Sequence, residues 1–103
     1  MNKMAKIKVA NKSEIKEGQG KLVNFQNKEI AIFTIGGQFF AIDNSCLHKG
    51  GSLSEGFLEE TSVTCPLHGW QFDLKTGQNI MPGIGKLNTY KVIVENEEVF
   101  IEA

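Results

Sequence analysis

The chain has 103 residues, of which 41% are hydrophobic and 22% charged, and its formal net charge is -1. This length predicts one domain, residues 1–103, and the composition excludes a disordered tail, a disulfide-dense miniprotein and a multi-domain enzyme. The absence of arginine and the slightly acidic balance argue against a nucleic-acid partner.

Short segments of strand-type composition recur between turn signals, and no sustained helical period of apolar residues is present. The sequence therefore predicts an all-β fold, a sandwich or a small barrel. In chain order, the predicted strands are residues 6–10, 21–25, 29–35, 38–43, 62–65, 70–73, 89–95 and 98–102.

Two features of these strands predict how they are arranged. Gly36 and Gly37 are expected to form a two-residue hairpin turn, because glycine reaches positive φ without steric cost. Asn96 and Glu97 are expected to make a similar turn. The segment 29–35 is apolar on both faces, which is typical of a central strand covered on both sides.

Both cysteines and both histidines of the chain lie in a segment, 44–69, that contains few signals of regular structure. Cys46 and His48 form a C-x-H pattern, and after sixteen intervening residues Cys65 and His68 form a C-x-x-H pattern. Each pattern offers one thiolate and one imidazole to a metal. One such histidine is more often a surface or core side chain, but all four residues together predict a metal site.

Two metal centres fit these residue types. A structural zinc site takes its ligands tetrahedrally, commonly with two to four residues between the paired ligands, and only the second pattern has that spacing. A mixed [2Fe-2S] cluster takes two thiolates on one iron and two imidazoles on the other, so that each pattern gives one of each. The spacing favours the iron–sulfur cluster over a zinc-stapled interaction module.

These patterns and their flanks resemble the Rieske-type ferredoxins, small carriers with a [2Fe-2S] cluster. The resemblance implies a Rieske-type three-sheet antiparallel β sandwich with a small cluster-binding subdomain of two loops, at about residues 44–73. It implies that Cys46 and Cys65 hold the inner iron, and that His48 and His68 hold the outer, solvent-facing iron. The matching stretches are residues 39–44, 50–56, 65–73 and 76–77.

The resemblance also implies a function. The chain is expected to be a one-electron carrier with one cluster, not an enzyme, and to have no catalytic residues. Its partners would be a flavin-dependent reductase and a terminal acceptor such as a ring-hydroxylating oxygenase. An alternative is the small Rieske-like subunit of a larger redox enzyme such as nitrite reductase.

The chain departs from the membrane-bound respiratory members of the same superfamily. Gly51 and Leu67 stand where those proteins have an extra pair of cysteines, so the disulfide between the loops is not expected. Trp70 and Phe72 stand where they have serine and tyrosine hydroxyls that stabilise the reduced cluster, so we expect a low potential within the Rieske range. The chain also departs from soluble relatives, which often have a proline-rich loop covering the cluster: here residues 81–85 stand in that place and retain one proline, Pro82.

The remaining features concern location and partners. Apolar runs are far shorter than the ~20 residues that cross a bilayer, and residues 1–10 lack the apolar core of a signal peptide. We therefore expect a cytoplasmic protein with reduced thiols and no membrane association. Residues 43–73 hold five acidic side chains and one lysine, Lys49. This charge predicts partners with basic surfaces.

Overall fold

A computed structural model describes residues 6–44, 52–65, 70–78 and 87–102 of the chain. In those ranges it shows strands and two short 3₁₀ turns, Lys12–Glu14 and Leu53–Glu55. The strands are β1 (Lys6–Asn11), β2 (Gly20–Phe25), β3 (Lys28–Ile35), β4 (Gln38–Asp43), β5 (Phe57–Glu59), β6 (Ser62–Thr64), β7 (Gln71–Asp73), β8 (Thr89–Glu95) and β9 (Glu98–Glu102).

The strands form two antiparallel sheets, one with the order β1-β9-β8-β4-β3-β2 and one with the order β5-β6-β7. The larger sheet consists of two three-stranded halves, β1-β9-β8 and β4-β3-β2. Two residue pairs, Ala41 with Tyr90 and Ile42 with Thr89, join β4 to β8 and thereby link these halves. The predicted three-sheet antiparallel arrangement is therefore confirmed, with two of its sheets joined at one short seam.

All eight predicted strands are present, and their bounds differ from the prediction by at most one residue. The sequence analysis missed β5, which lies in the segment where few regular elements were expected. This strand has three residues, too few to show an alternating pattern of its own. It forms because it pairs with β6 from Phe57 opposite Thr64 to Glu59 opposite Ser62.

Two-residue turns connect three of the hairpins. Gly36 and Gly37 have φ values of +58° and +82°, and Asn96 and Glu97 have +51° and +67°, so both predicted turns are confirmed. The segment 26–27 makes a third turn with positive φ at both positions. Turns of this hand match the right-handed twist of the flanking strands.

Strand β3 is buried on both faces, as predicted, and it contributes to two cores. Core 1 lies towards the small sheet, and core 2 lies on the opposite face of β3. The members of core 1 are Ala31, Phe33, Ile42, Leu53, Val63, Cys65, Phe72, Leu74 and Leu87. The members of core 2 are Ala10, Ile15, Val23, Phe25, Ile30, Ile32, Ala41, Val99 and Ile101.

In the part of the chain that the structure describes, no helix has the length and hydrophobicity that crossing a membrane requires.

Candidate metal centre

Cys65 is the predicted ligand that the structure describes. It directly follows β6, its side chain belongs to core 1, and the residue is 2% exposed. Its thiol is not in a disulfide. The other three predicted ligands, Cys46, His48 and His68, lie in the segments 45–51 and 66–69, outside the described residues.

The flanks of the segment 66–69 are joined by a backbone hydrogen bond. The N–H of Cys65 donates to the carbonyl oxygen of Trp70 at 2.7 Å. This bond directly follows the Thr64–Gln71 pair of the β6–β7 ladder. The segment that carries His68 is therefore a four-residue connection between two paired strands, and Cys65 stands at one end of it.

The flanks of the segment 45–51 are joined more extensively, through Asn44. Its backbone carbonyl accepts the N–H of Leu53 at 2.8 Å, and its Oδ1 accepts the N–H of Ser54 at 2.8 Å. Its Nδ2 donates to Ser52 Oγ at 3.1 Å. We call these bonds between Asn44 and residues 52–54 the Asn44 clasp. The chain therefore leaves β4 and returns from the segment 45–51 at nearly the same point.

The two sets of flanking residues adjoin each other. Leu53, which follows the first segment, and Cys65, which precedes the second, both belong to core 1. Between them, Gly56 approaches β6 so closely that a Cβ on it would lie 2.5 Å from the Thr64 carbonyl oxygen. Only glycine permits this approach. The segments that carry the predicted ligands thus start and end on neighbouring parts of one small subdomain.

A third connection, residues 79–86, includes the predicted covering loop 81–85 and lies outside the described residues. Its flanks are joined by a hydrogen bond from the N–H of Leu87 to the carbonyl oxygen of Gly77 at 2.7 Å. Leu87 is buried in core 1. The end of this connection is therefore packed in the same core as Cys65.

Asp43 ties the end of β4 to β8. Its carboxylate accepts the Tyr90 hydroxyl at 2.6 Å and the N–H of Asn88 at 3.0 Å. Burial, together with the hydrogen bond to Asp43, raises the pKa of Tyr90 to about 12. The phenol therefore stays protonated and continues to donate to Asp43 throughout the physiological pH range.

The surroundings of Cys65 fit a thiolate that is bound to a metal. An ionised thiol in an apolar core carries a large desolvation cost unless a positive centre compensates it. A metal supplies that compensation and also removes the thiol proton. Within the described ranges, no three or more His, Cys, Asp or Glu residues lie close enough to hold a metal ion. The remaining predicted ligands lie in the segments 45–51 and 66–69, outside those ranges.

The fold and the candidate site are those of a small antiparallel β protein with a buried thiol at the base of one of two adjoining connections. Residues 5–91 match the Rieske [2Fe-2S] domain family, which covers most of the chain. The chain belongs to this family. The sequence-based resemblance is thus confirmed, and the chain carries one [2Fe-2S] cluster.

Individual relatives agree with this assignment. The chain is 39% identical over 104 residues to the 3-phenylpropionate/cinnamic acid dioxygenase ferredoxin subunit of Escherichia coli strain K12, across 99% of this chain and 94% of the relative. It also resembles a chain in the solved complex of reduced oxygenase and oxidized ferredoxin in carbazole 1,9a-dioxygenase. That match has a TM-score of 0.84 and 33% identity, and it covers 93% of this chain and 91% of the other. These similarities identify the chain as a ferredoxin-type electron carrier rather than an enzyme.

A further solved structure shares the fold. It is described as that of a candidate small subunit of an NADPH nitrite reductase, and the match has a TM-score of 0.89 over 96% of this chain and 99% of that chain. The two sequences are 24% identical. At that identity the similarity demonstrates the fold but not the function.

The sequence analysis did not assign a role to Asn44 or Gly56. Asn44 directly follows a predicted strand and stands two residues before Cys46. An asparagine at a strand end commonly accepts a hydrogen bond from a nearby backbone N–H, and this signal could have indicated a local role for Asn44. No comparable signal identified Gly56, because its role depends on the pairing of β5 with β6.

Proposed function

We propose that this chain passes single electrons from a flavin-dependent reductase to a terminal ring-hydroxylating oxygenase. We further propose that residues 1–103 form one domain, with its cluster-binding part at about 44–73. In this proposal Cys46 and Cys65 hold the inner iron, and His48 and His68 hold the outer iron. The observation that carries it is the position of the Cys65 thiol, buried in core 1 at the base of the four-residue connection to Trp70.

The cluster supplies the one-electron chemistry, and the polypeptide sets its environment. Core 1 excludes water from the side on which Cys65 lies. Imidazole ligands leave the cluster less negative than four thiolates would, which makes reduction easier than in plant-type ferredoxins. Phe72 is fully buried in core 1 and has no hydroxyl to donate. This absence supports a potential low in the Rieske range.

Electron paramagnetic resonance of the dithionite-reduced protein tests the proposed ligand set. We expect a spectrum whose average g value is lower than that of a four-thiolate [2Fe-2S] cluster, because two imidazoles bind one iron. The oxidised protein should be coloured and should contain iron and acid-labile sulfide. A colourless, silent protein that contains zinc would instead indicate a zinc-stapled interaction module.

The outer face of the small sheet supports a docking role. In the register of β5, β6 and β7, Phe57, Thr64 and Gln71 form the row nearest to Cys65. The next row on the same face of the sheet consists of Glu59, Ser62 and Asp73. Phe57 is 68% exposed, the largest exposure among the large hydrophobic side chains that the structure describes. An exposed aromatic ring beside acidic groups is suited to a partner with an apolar patch and a basic rim.

Reversing the acidic charges near this face should slow electron transfer to a basic redox protein. Glu55, Glu59 and Glu60 are exposed and flank Phe57 in sequence. At low ionic strength, their simultaneous replacement by lysine should lower the bimolecular rate of cytochrome c reduction by about tenfold or more, because attraction becomes repulsion. Stopped-flow absorbance measures this rate.

The matched control is Glu97→Lys, an exposed site in the β8–β9 turn, at the far end of β8 from Leu87. This variant should reduce cytochrome c at nearly the rate of the wild type. The rates of all three proteins should converge at high salt, where exposed charges are screened. If the triple variant matched the wild type at low salt, electrostatic steering by this face would be refuted.

The same carrier is proposed to work in the cytoplasm. Cys65 is not in a disulfide, which supports a reducing compartment, where cysteines persist as thiols or metal ligands. The alternative role, as a small subunit of a larger enzyme such as nitrite reductase, rests on fold similarity alone. Stable co-purification with a large subunit would favour that alternative, whereas a transient carrier elutes alone.

A further inference from the structure

Asn44 is a buried polar residue, 3% exposed. Burying a carboxamide is costly unless its donors and acceptors are satisfied. Asn44 meets this requirement with its backbone N–H and carbonyl and with both side-chain atoms. Such a fully partnered polar group fixes one arrangement of the chain rather than several.

Every bond of the Asn44 clasp connects one end of the segment 45–51 to the other. The partners are Ser52, Leu53 and Ser54, all of which follow the segment. Ser52 Oγ also lies 3.0 Å from Ser54 Oγ, so the two hydroxyls and the carboxamide form one small network. The distance across which the segment must close is therefore set by Asn44.

The clasp is itself anchored to the large sheet. The N–H of Asn44 donates to the carbonyl oxygen of Glu29, in β3, at 3.0 Å. The preceding residue, Asp43, is held by Tyr90 and Asn88 from the side of β8. Leu53, on the other side of the clasp, is fully buried in core 1. The ends of the segment 45–51 are therefore held by β3, by β8 with the preceding Asn88, and by core 1, none of which includes residues of that segment.

We propose that Asn44 is a positioning residue for the cluster: its buried carboxamide fixes the two ends of the segment 45–51 and thereby holds Cys46 and His48 at the spacing that the cluster requires. This inference rests on the proposed ligand set. A short segment with fixed ends has few conformations, so its ligands lose little freedom when they bind metal. Groups that orient metal ligands without touching the metal typically change metal affinity by about 10- to 100-fold.

The test compares Asn44→Ala and Ser52→Ala with Val99→Ala in the full-length holoprotein. Val99 is fully buried in core 2, so its replacement destabilises the fold without touching the clasp. The rate of cluster loss to excess chelator is followed by visible absorbance, and the reduced cluster is examined by electron paramagnetic resonance. Asn44→Ala should lose its cluster about tenfold faster than Val99→Ala and should show broadened lines.

Ser52→Ala should show a smaller change in the same direction, since it removes one hydroxyl of the network and leaves the Asn44–Ser54 bond. If Asn44→Ala does not fold, the comparison of Ser52→Ala with Val99→Ala decides. The inference is overturned if Asn44→Ala, or Ser52→Ala when Asn44→Ala does not fold, shows the same rate of cluster loss and the same line shape as Val99→Ala. In that case the cluster of the wild-type protein still supports the proposed function. A wild-type protein without an iron–sulfur cluster overturns both.

Discussion

Cys65→Ala should yield a colourless protein without a [2Fe-2S] cluster. The substitution removes the one proposed ligand that the structure describes, and the chain's other cysteine, Cys46, is itself a proposed ligand of the same iron and so leaves no spare thiol. Metal binding is coupled to folding, so the small sheet should also lose stability. Visible absorbance and iron content measure the first effect, and hydrogen exchange of the β5–β7 amides measures the second.

The matched control is Val63→Ala, two residues earlier in β6. Val63 is fully buried in the same core as Cys65 but offers no ligand atom. It should cost the fold about 2 kcal/mol through the cavity that it leaves, yet it should retain the cluster. If Cys65→Ala remained coloured, with a Rieske-type spectrum, the proposed ligand set would be wrong. If both variants lost the cluster equally, the loss would report core damage rather than ligation.

Gly77→Ala should destabilise the fold by about 2 to 5 kcal/mol, the combined effect of an unfavourable backbone conformation and steric overlap. Gly77 has a φ of +78°, and a Cβ on it would overlap the carbonyl oxygen of Leu87. That region is not free to move, because the N–H of Leu87 bonds to the Gly77 carbonyl and the Leu87 side chain is buried in core 1. Denaturant unfolding measures the change.

Gly18→Ala separates the two contributions. Gly18 has nearly the same φ, +76°, but a Cβ on it would meet nothing within 4 Å. This variant should therefore cost only the conformational part, about 1 to 2 kcal/mol. The difference between the variants gives the energy of the contact with Leu87. Equal losses in both would show that the backbone near Leu87 adjusts freely, contrary to the packing described above.

The strands could be predicted because their signals are local. The alternation of residues in β8 and β9 and the Gly36-Gly37 turn depend on neighbours in sequence alone. Burial of both faces of β3 could also be predicted, since apolar residues occupy both its odd and its even positions. Strand β5 was missed for the opposite reason: Phe57–Glu59 is stabilised by its pairing with β6, and its own three residues carry no pattern.

The ligand patterns could be recognised from the sequence, because a thiol and an imidazole close together in sequence can contribute to one metal centre whatever the rest of the fold does. This local chemistry indicated a metal site, and the resemblance of the patterns and their flanks to Rieske-type ferredoxins then indicated the family, the cofactor and the proposed ligands. It did not determine what holds the ligand segments. The Asn44 clasp spans eight to ten residues, and the approach of Gly56 to Thr64 joins different strands.

The amino-acid sequence by itself thus determined the all-β class, the strand positions and the cysteine–histidine chemistry, since each follows from side chains that are adjacent along the chain. Only the tertiary structure decided that core 1 buries Cys65, that Asp43 links to Tyr90, and that Phe57 lies exposed beside acidic groups. These features depend on strand register, which is fixed by the simultaneous burial of many distant side chains. No short stretch of sequence contains that information.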